Sequence, residues 1–325
     1  NVTGVQTCAL PILSLHDSNE ENITYKFKSY ETSLSVLQES NVKDIDQDLL
    51  EVYKSLEFWK FDIISIESFS RSLFVTTFGI FIKWGFFEKF KLRPQRLVNF
   101  LTKIQQSYYP NAFHNFLYAG SCLQACHFII YKLQLHKFLD EVDIFSLLFA
   151  SIIISVGHPG LTNNFLVKTS NHLAIRYNDQ DVLENHHLAT TFDLLSISAF
   201  DILSGLTVLQ KKQFRENVIF LILGTSRNRF CEVLSNFSTA VVLKAKTKKQ
   251  NILKNLQKFQ KKPFMRMIFI AVQHSYVARP KEVYLKWADR LAHEFYRQGD
   301  KEKHVLMKIS PFMDRTRPSI NAFQI

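Results

Sequence analysis

The sequence predicts an all-α fold, on three observations. From Phe58 onward, stretches with apolar residues at helical spacing are separated by short polar turns. Strand-like alternation is nearly absent. Glycine and proline are scarce, 9 and 8 in 325 residues. With 46% hydrophobic and 21% charged residues, the chain can bury one large core or two modest ones, which excludes disordered and collagen-like classes.

In chain order, residues 1–12 are set aside first. Val2 to Ile12 read VTGVQTCALPI and resemble the in-frame translation of a short-read sequencing adapter, an artefact rather than part of a fold. Residues 13–57 are expected to be a solvated acidic leader or linker with room for one helix, since ten acidic residues stand against four lysines between Asp17 and Glu57. The helical domain then spans 58–325, and its C-terminus is expected to be truncated. Helices are expected over 97–107, 114–136, 144–156, 161–169, 183–195, 211–223 and 280–298, each an apolar-periodic stretch between polar turns. The 114–136 helix sets Cys122 and Cys126 on one face beside His127, which suits either a metal corner or, more simply, a buried apolar face. The 144–156 stretch is the longest apolar run. It is shorter than the roughly 20 residues of a membrane span and stops at His158-Pro159-Gly160, so no transmembrane segment is expected. The 280–298 helix aligns Trp287, Leu291 and Phe295 at i, i+4, i+8.

The net charge is +11, and eight lysines between Lys244 and Lys262, with no acidic residue among them, carry most of it. Ile252, Leu256 and Phe259 recur there at i, i+4, i+7, the pattern of an amphipathic helix with a solvated basic face. No aromatic interleaving and no base-reading motif accompanies it, so no nucleic-acid partner is expected. Four cysteines without framework spacing point to a reducing, cytoplasmic setting.

The residues that carry chemistry are His114-Asn115, His158-Pro159-Gly160 and Glu184-Asn185-His186-His187. Polar groups on helices otherwise rich in Leu and Phe suggest a polar cleft in an apolar body.

Several segments carry a more specific signal: FWKFDI from Phe58, WGFFEKFKL from Trp84, LVNFLTKIQQSYYPNAFHN from Leu97, HPGLTNNFL from His158, YNDQDVLENHHLA from Tyr177, WADRLAHEFYRQGD from Trp287 and ISPFMDR from Ile309. In order and spacing they resemble the catalytic domain of class I 3′,5′-cyclic nucleotide phosphodiesterases. The resemblance implies a compact multi-helix, HD-domain-like fold, in which zinc and magnesium activate a hydroxide that attacks the cyclic phosphate of cAMP or cGMP. Carried over residue by residue, it makes His114 the general acid. Asn115, His158, Glu184, His186 and His187 become supporting residues of the site. Trp287, Leu291, Phe295 and Phe312 become walls of the nucleotide pocket, with Gln324 as the purine's hydrogen-bonding partner. The four metal-ligand positions hold Tyr118, Ile154, Ser155 and Gln273 instead of His and Asp, and three further polar positions hold Ser121, Ser226 and Tyr276. No metal is therefore expected, although the family uses zinc and magnesium.

The expected function is a family domain with impaired or absent hydrolysis that retains binding of a cyclic nucleotide or of a partner, such as a second copy or an active relative in a dimer. The alternatives are an active phosphodiesterase with His158, His186 or His187 recruited to a rearranged metal site, and a structural module with a basic surface.

Overall fold

The computed structural model describes residues 46–66, 71–239 and 260–316. Its helices, in chain order, are α1 (Asp46–Ser55), α2 (Ser72–Trp84), α3 (Phe86–Lys89), α4 (Pro94–Gln106), α5 (Phe116–Lys132), α6 (Glu141–Ile152), α7 (Asn163–Lys168), α8 (His172–Arg176), α9 (Val182–Leu195), α10 (Val208–Leu223), α11 (Phe230–Phe237), α12 (Lys261–Gln273) and α13 (Lys281–His304). Among the described residues there is no strand, and no helix is long and apolar enough to cross a membrane.

Local signals set the helix ends. The helix expected from 114 starts at Phe116, because the Asn115 side chain accepts hydrogen bonds from the N–H groups of Leu117 and Tyr118. The one expected from 144 starts at Glu141, where Asp140 and Asp143 form a reciprocal capping box. A second box, Thr207 with Gln210, opens α10. The 280–298 helix runs on to His304.

α5 lies between α2 and α6, and α6 packs in turn on α10. Every residue of α2 is buried. A helix apolar all round has no amphipathic period to read, which is why the sequence did not suggest it. The rings of Phe81, Phe86, Phe90, Phe145, Phe149 and Phe214 pack through the centre in edge-to-face, tilted and stacked pairs, at centroid separations of 4.9–6.4 Å.

One sequence expectation needs correction, and of two alternatives the simpler holds. The acidic leader is not wholly solvated: Leu49, Val52 and Leu56 of the segment 46–57 are at most 1% exposed and join the core against α2, so the packed unit begins ahead of Phe58. The Cys122–Cys126–His127 face is apolar core rather than a metal corner. His127 Nδ1 accepts the Trp84 indole N–H at 3.0 Å, and burial pushes both thiols up to about 12, too high for thiolate ligands. The amphipathic segment containing Ile252, Leu256 and Phe259, like residues 1–12 and Gln324, lies outside the described residues.

A second tie closes the fold. The Trp59 indole donates to the Ala278 carbonyl at 2.7 Å, while Arg279 donates to the Trp59 carbonyl at 2.9 Å and lies over the Trp59 ring at 4.3 Å. Residues 220 positions apart are thereby clasped.

Candidate functional site

The site forms where the N-terminus of α5, the turn after α6, α9 and α13 converge. His114 stands just before the Asn115 cap. Its Nδ1 donates to Glu294 Oε1 of α13 at 2.5 Å, and Glu294 Oε2 accepts the backbone N–H groups of Phe113 at 2.9 Å and His114 at 3.0 Å. Burial opposes ionisation of Glu294, but His114 and these donors outweigh it and hold the carboxyl below its usual value. An imidazole fixed by a carboxylate on Nδ1 presents Nε2 outward, the arrangement that suits proton transfer.

On the other face of His114 lies His158, with ring centroids 4.0 Å apart and planes inclined by 11°. His158 Nδ1 accepts the Gly160 N–H at 3.0 Å, so its proton sits on Nε2. Asn111 Nδ2 donates to both the His158 carbonyl at 2.6 Å and the His114 carbonyl at 3.0 Å, fastening the two backbones together. His187 is next in the row, 5.8 Å from His158, and donates Nδ1–H to the Val156 carbonyl at 2.7 Å. Burial holds His158 well below its ordinary value and lowers His187 to about 3, so both rings are neutral at physiological pH.

His186 is less buried, with Nδ1 3.4 Å from the Tyr177 hydroxyl. The turn at Gly157 has φ +70, and a Cβ there would come within 2.8 Å of His186 Nε2, so both backbone and space call for glycine.

The structure thus brings His114, His158, His186 and His187 into one row with Asn115 beneath it. Glu184 stands apart: its carboxylate accepts from Asn163 Nδ2 at 2.9 Å, and burial raises its pKa. The pocket walls inferred from resemblance divide. Trp287 has no exposed surface and packs against both Phe113 and Tyr118, so it is core and cannot touch a ligand. Leu291 is buried and Phe295 half-buried. Phe312 is 58% exposed with φ +68, on the turn after α13. Glu294, which sequence reasoning missed, was detectable in principle. It falls i+3 from Leu291 and i+7 from Trp287, a carboxylate on an apolar face.

Of the four positions that resemblance assigns to metal ligands, three are buried and the fourth, Gln273, is half-buried and uncharged. Tyr118, 3% exposed, donates its hydroxyl to the Gln273 carbonyl at 2.7 Å, and its ring packs 4.6 Å from that of Phe113. Burial holds the phenol well above its usual pKa, so no phenolate is available. Ile154 and Ser155 are 4% and 2% exposed, and neither brings charge. This set does not fit zinc or magnesium, which need anionic oxygens or imidazoles.

A different group, His114, His158 and Glu294, has ligand atoms all within 4.8 Å of one another, a composition that could hold a metal ion. Glu294 already receives three N–H donors, and the two rings are nearly parallel. A metal sits in the plane of each imidazole it binds, about 2.0–2.1 Å from the nitrogen. Two stacked planes share no such point, so a cation requires one ring to turn.

Residues 113–325 match the family described as 3′5′-cyclic nucleotide phosphodiesterase. The chain is similar to the probable 3′,5′-cyclic-AMP phosphodiesterase pde-4 of Caenorhabditis elegans, 35% identical over 83% of this chain and 40% of that protein. It is similar to the 3′,5′-cyclic-AMP phosphodiesterase 4C of Rattus norvegicus, 29% identical over 87% of this chain and 53% of the relative. A third relative is the dual specificity calcium/calmodulin-dependent 3′,5′-cyclic nucleotide phosphodiesterase 1 of Drosophila melanogaster, 30% identical over 86% of this chain and 32% of that protein. The chain therefore spans about half or less of the length of these relatives.

Proposed function

The chain belongs to the 3′,5′-cyclic nucleotide phosphodiesterase family, and from that premise we propose that it keeps the acid side of the site but has lost the metal-centred nucleophile. It binds a cyclic nucleotide, or acts through a related phosphodiesterase, without hydrolysing at a useful rate. The observation that carries this reading is the Tyr118 hydroxyl bonded to the Gln273 carbonyl, which fills with phenol the place where resemblance expects a ligand. In the family the metals supply the hydroxide. Here the His114–Glu294 pair remains able to orient and donate a proton to a leaving oxygen. Such general-acid assistance is worth on the order of a hundred- to ten-thousand-fold, far short of what phosphodiester hydrolysis requires. The His158 and His187 rings, neutral and stacked behind it, exclude water from the rear of His114.

One observation favours a second reading, an active enzyme with a rearranged metal site: the His114, His158 and Glu294 group. The deciding experiment measures hydrolysis of cAMP and cGMP by the purified chain with magnesium, manganese or zinc, beside a His114→Ala control, with bound metal quantified. The expected result is substoichiometric metal and no turnover above the control. Turnover abolished by His114→Ala, together with one bound metal per chain, would establish the rearranged site instead.

A further inference from the structure

α13 buries three polar side chains at i, i+4 and i+8, Glu294, Gln298 and Glu302, exposed by 5%, 2% and 2%. They form one stripe along the helix, and each grips a segment remote from the others. Glu294 holds the 113–114 backbone and the His114 ring. Gln298 holds Thr162, the N-cap of α7: its Oε1 accepts the Thr162 N–H at 2.8 Å and its Nε2 donates to the Thr162 hydroxyl at 3.1 Å. Glu302 accepts the Ser310 N–H at 2.6 Å and the Ser310 hydroxyl at 2.7 Å. It also accepts from Gln298 Nε2 at 2.8 Å.

That last bond fixes a direction. A glutamine amide has a donor end and an acceptor end, and an ionised carboxylate can only accept. With Glu302 beside it, the Gln298 amide nitrogen must face Glu302, which leaves its oxygen for the Thr162 N–H. Thr162 ends the turn that begins at His158, and the His158 carbonyl is fastened to that of His114 through Asn111. The His158 ring is in turn the surface against which His114 stacks.

We propose that Glu302 and Gln298 are positioning residues for His114: Glu302 sets the orientation of the Gln298 amide, and Gln298 holds the 158–162 turn so that His158 backs the His114 ring. Neither touches the site. The role rests on the reading of His114 as the working group, but its physical content does not depend on nucleotide binding or hydrolysis.

The test therefore uses the ligand-free chain and follows the imidazole resonances of His114 and His158 by NMR, assigned with His114→Gln and His158→Gln. Replacing Glu302 with glutamine offers the amide of residue 298 a donor as well as an acceptor, so only the Thr162 N–H still holds its orientation. Both imidazole signals shift as the stack loosens. The exchange variant Gln298→Glu with Glu302→Gln restores a carboxylate facing an amide, now with the carboxylate accepting from Thr162, and returns both signals toward their original positions. Gln298→Ala, which leaves the Glu302–Ser310 bonds in place, shifts them as well and serves if the single Glu302 variant does not fold. Arg315→Ala breaks the exposed pair with Asp300 and the contact over the Tyr296 ring, neither of which belongs to the stripe, and leaves both signals unmoved. Unshifted imidazole signals in folded Glu302→Gln and Gln298→Ala overturn the proposal. Shifts that the exchange variant fails to reverse overturn the orientation argument at its centre. Because nothing in the measurement depends on a nucleotide, a chain that binds none still decides it.

Discussion

Two buried histidines make the stability of the molecule depend on mild acid. The folded values of His158 and His187 lie below the usual 6.5, at about 3 for His187, because burial disfavours the imidazolium. The unfolded chain therefore binds protons that the folded one does not. Their contribution is complete above about pH 6.5 and falls away as the pH drops from there toward the folded values, by at most about 1.4 kcal/mol per pH unit for each ring. Glu294, lowered from its ordinary value, acts in the same direction further down, its contribution being lost as pH falls through its folded pKa. Thermal melts between pH 7 and pH 5 are expected to show Tm falling with pH, less steeply in His187→Gln; a Tm independent of pH over that range would contradict this account. At this scale the sequence was a partial guide. His114, His158, His186 and His187 were legible as polar residues in apolar surroundings. Glu294 was passed over, because a glutamate on a helix reads as solvent-facing unless its place on the Trp287–Leu291 face is weighed. Glu184 illustrates the reverse, since its nearness in sequence to His186 and His187 suggested a shared network, whereas its carboxylate turns to Asn163.

At the scale of elements, legibility followed amphipathicity. α4, α5, α6, α9, α10 and α13 carried apolar spacing strong enough to be placed, and their ends were moved a few residues by caps such as Asn115 and the Asp140–Asp143 box. α2, apolar on every face, gave no period, and short α8 gave too few residues to show one. The junction between α13 and the turn that follows it depends on Gly299. A Cβ there would lie 1.8 Å from the Met313 carbonyl oxygen, a backbone atom that cannot swing aside. Gly299→Ala is expected to lift residues 309–316 off the helix, breaking the Ser310 bonds to Glu302 while leaving α13 helical. Hydrogen exchange would read this as faster exchange at the Ser310 and Met313 amides; unchanged protection there would show that the turn accommodates the methyl by another route.

At the scale of the molecule, the described residues pack so that segments remote in sequence meet. Leu49 and Val52 of α1, with Leu56 just after it, join the core, each worth about 1.5–3 kcal/mol when fully buried, against a total that for domains of this kind is about 5–15 kcal/mol. A chain begun at residue 58, where composition changes most sharply, is expected to have a much lower urea midpoint than one begun at residue 46, or not to fold. Equal midpoints would mean that α1 is dispensable. The boundary was misread because charge dominates the composition of 17–57, while three apolar residues on one face are enough to make its last helix structural.

The clasp between Trp59 and Arg279, together with the grips of α13 on the 113–114 and 158–162 segments, has a consequence for covalent continuity. None of these bonds depends on the peptide linkage between residues 239 and 260. The part of the chain before that stretch and the part after it are complementary surfaces, each lacking what the other buries. Supplied as two separate polypeptides, they contain every partner needed to recognise each other and to rejoin the histidine row, carried whole by the first, to Glu294, carried by the second.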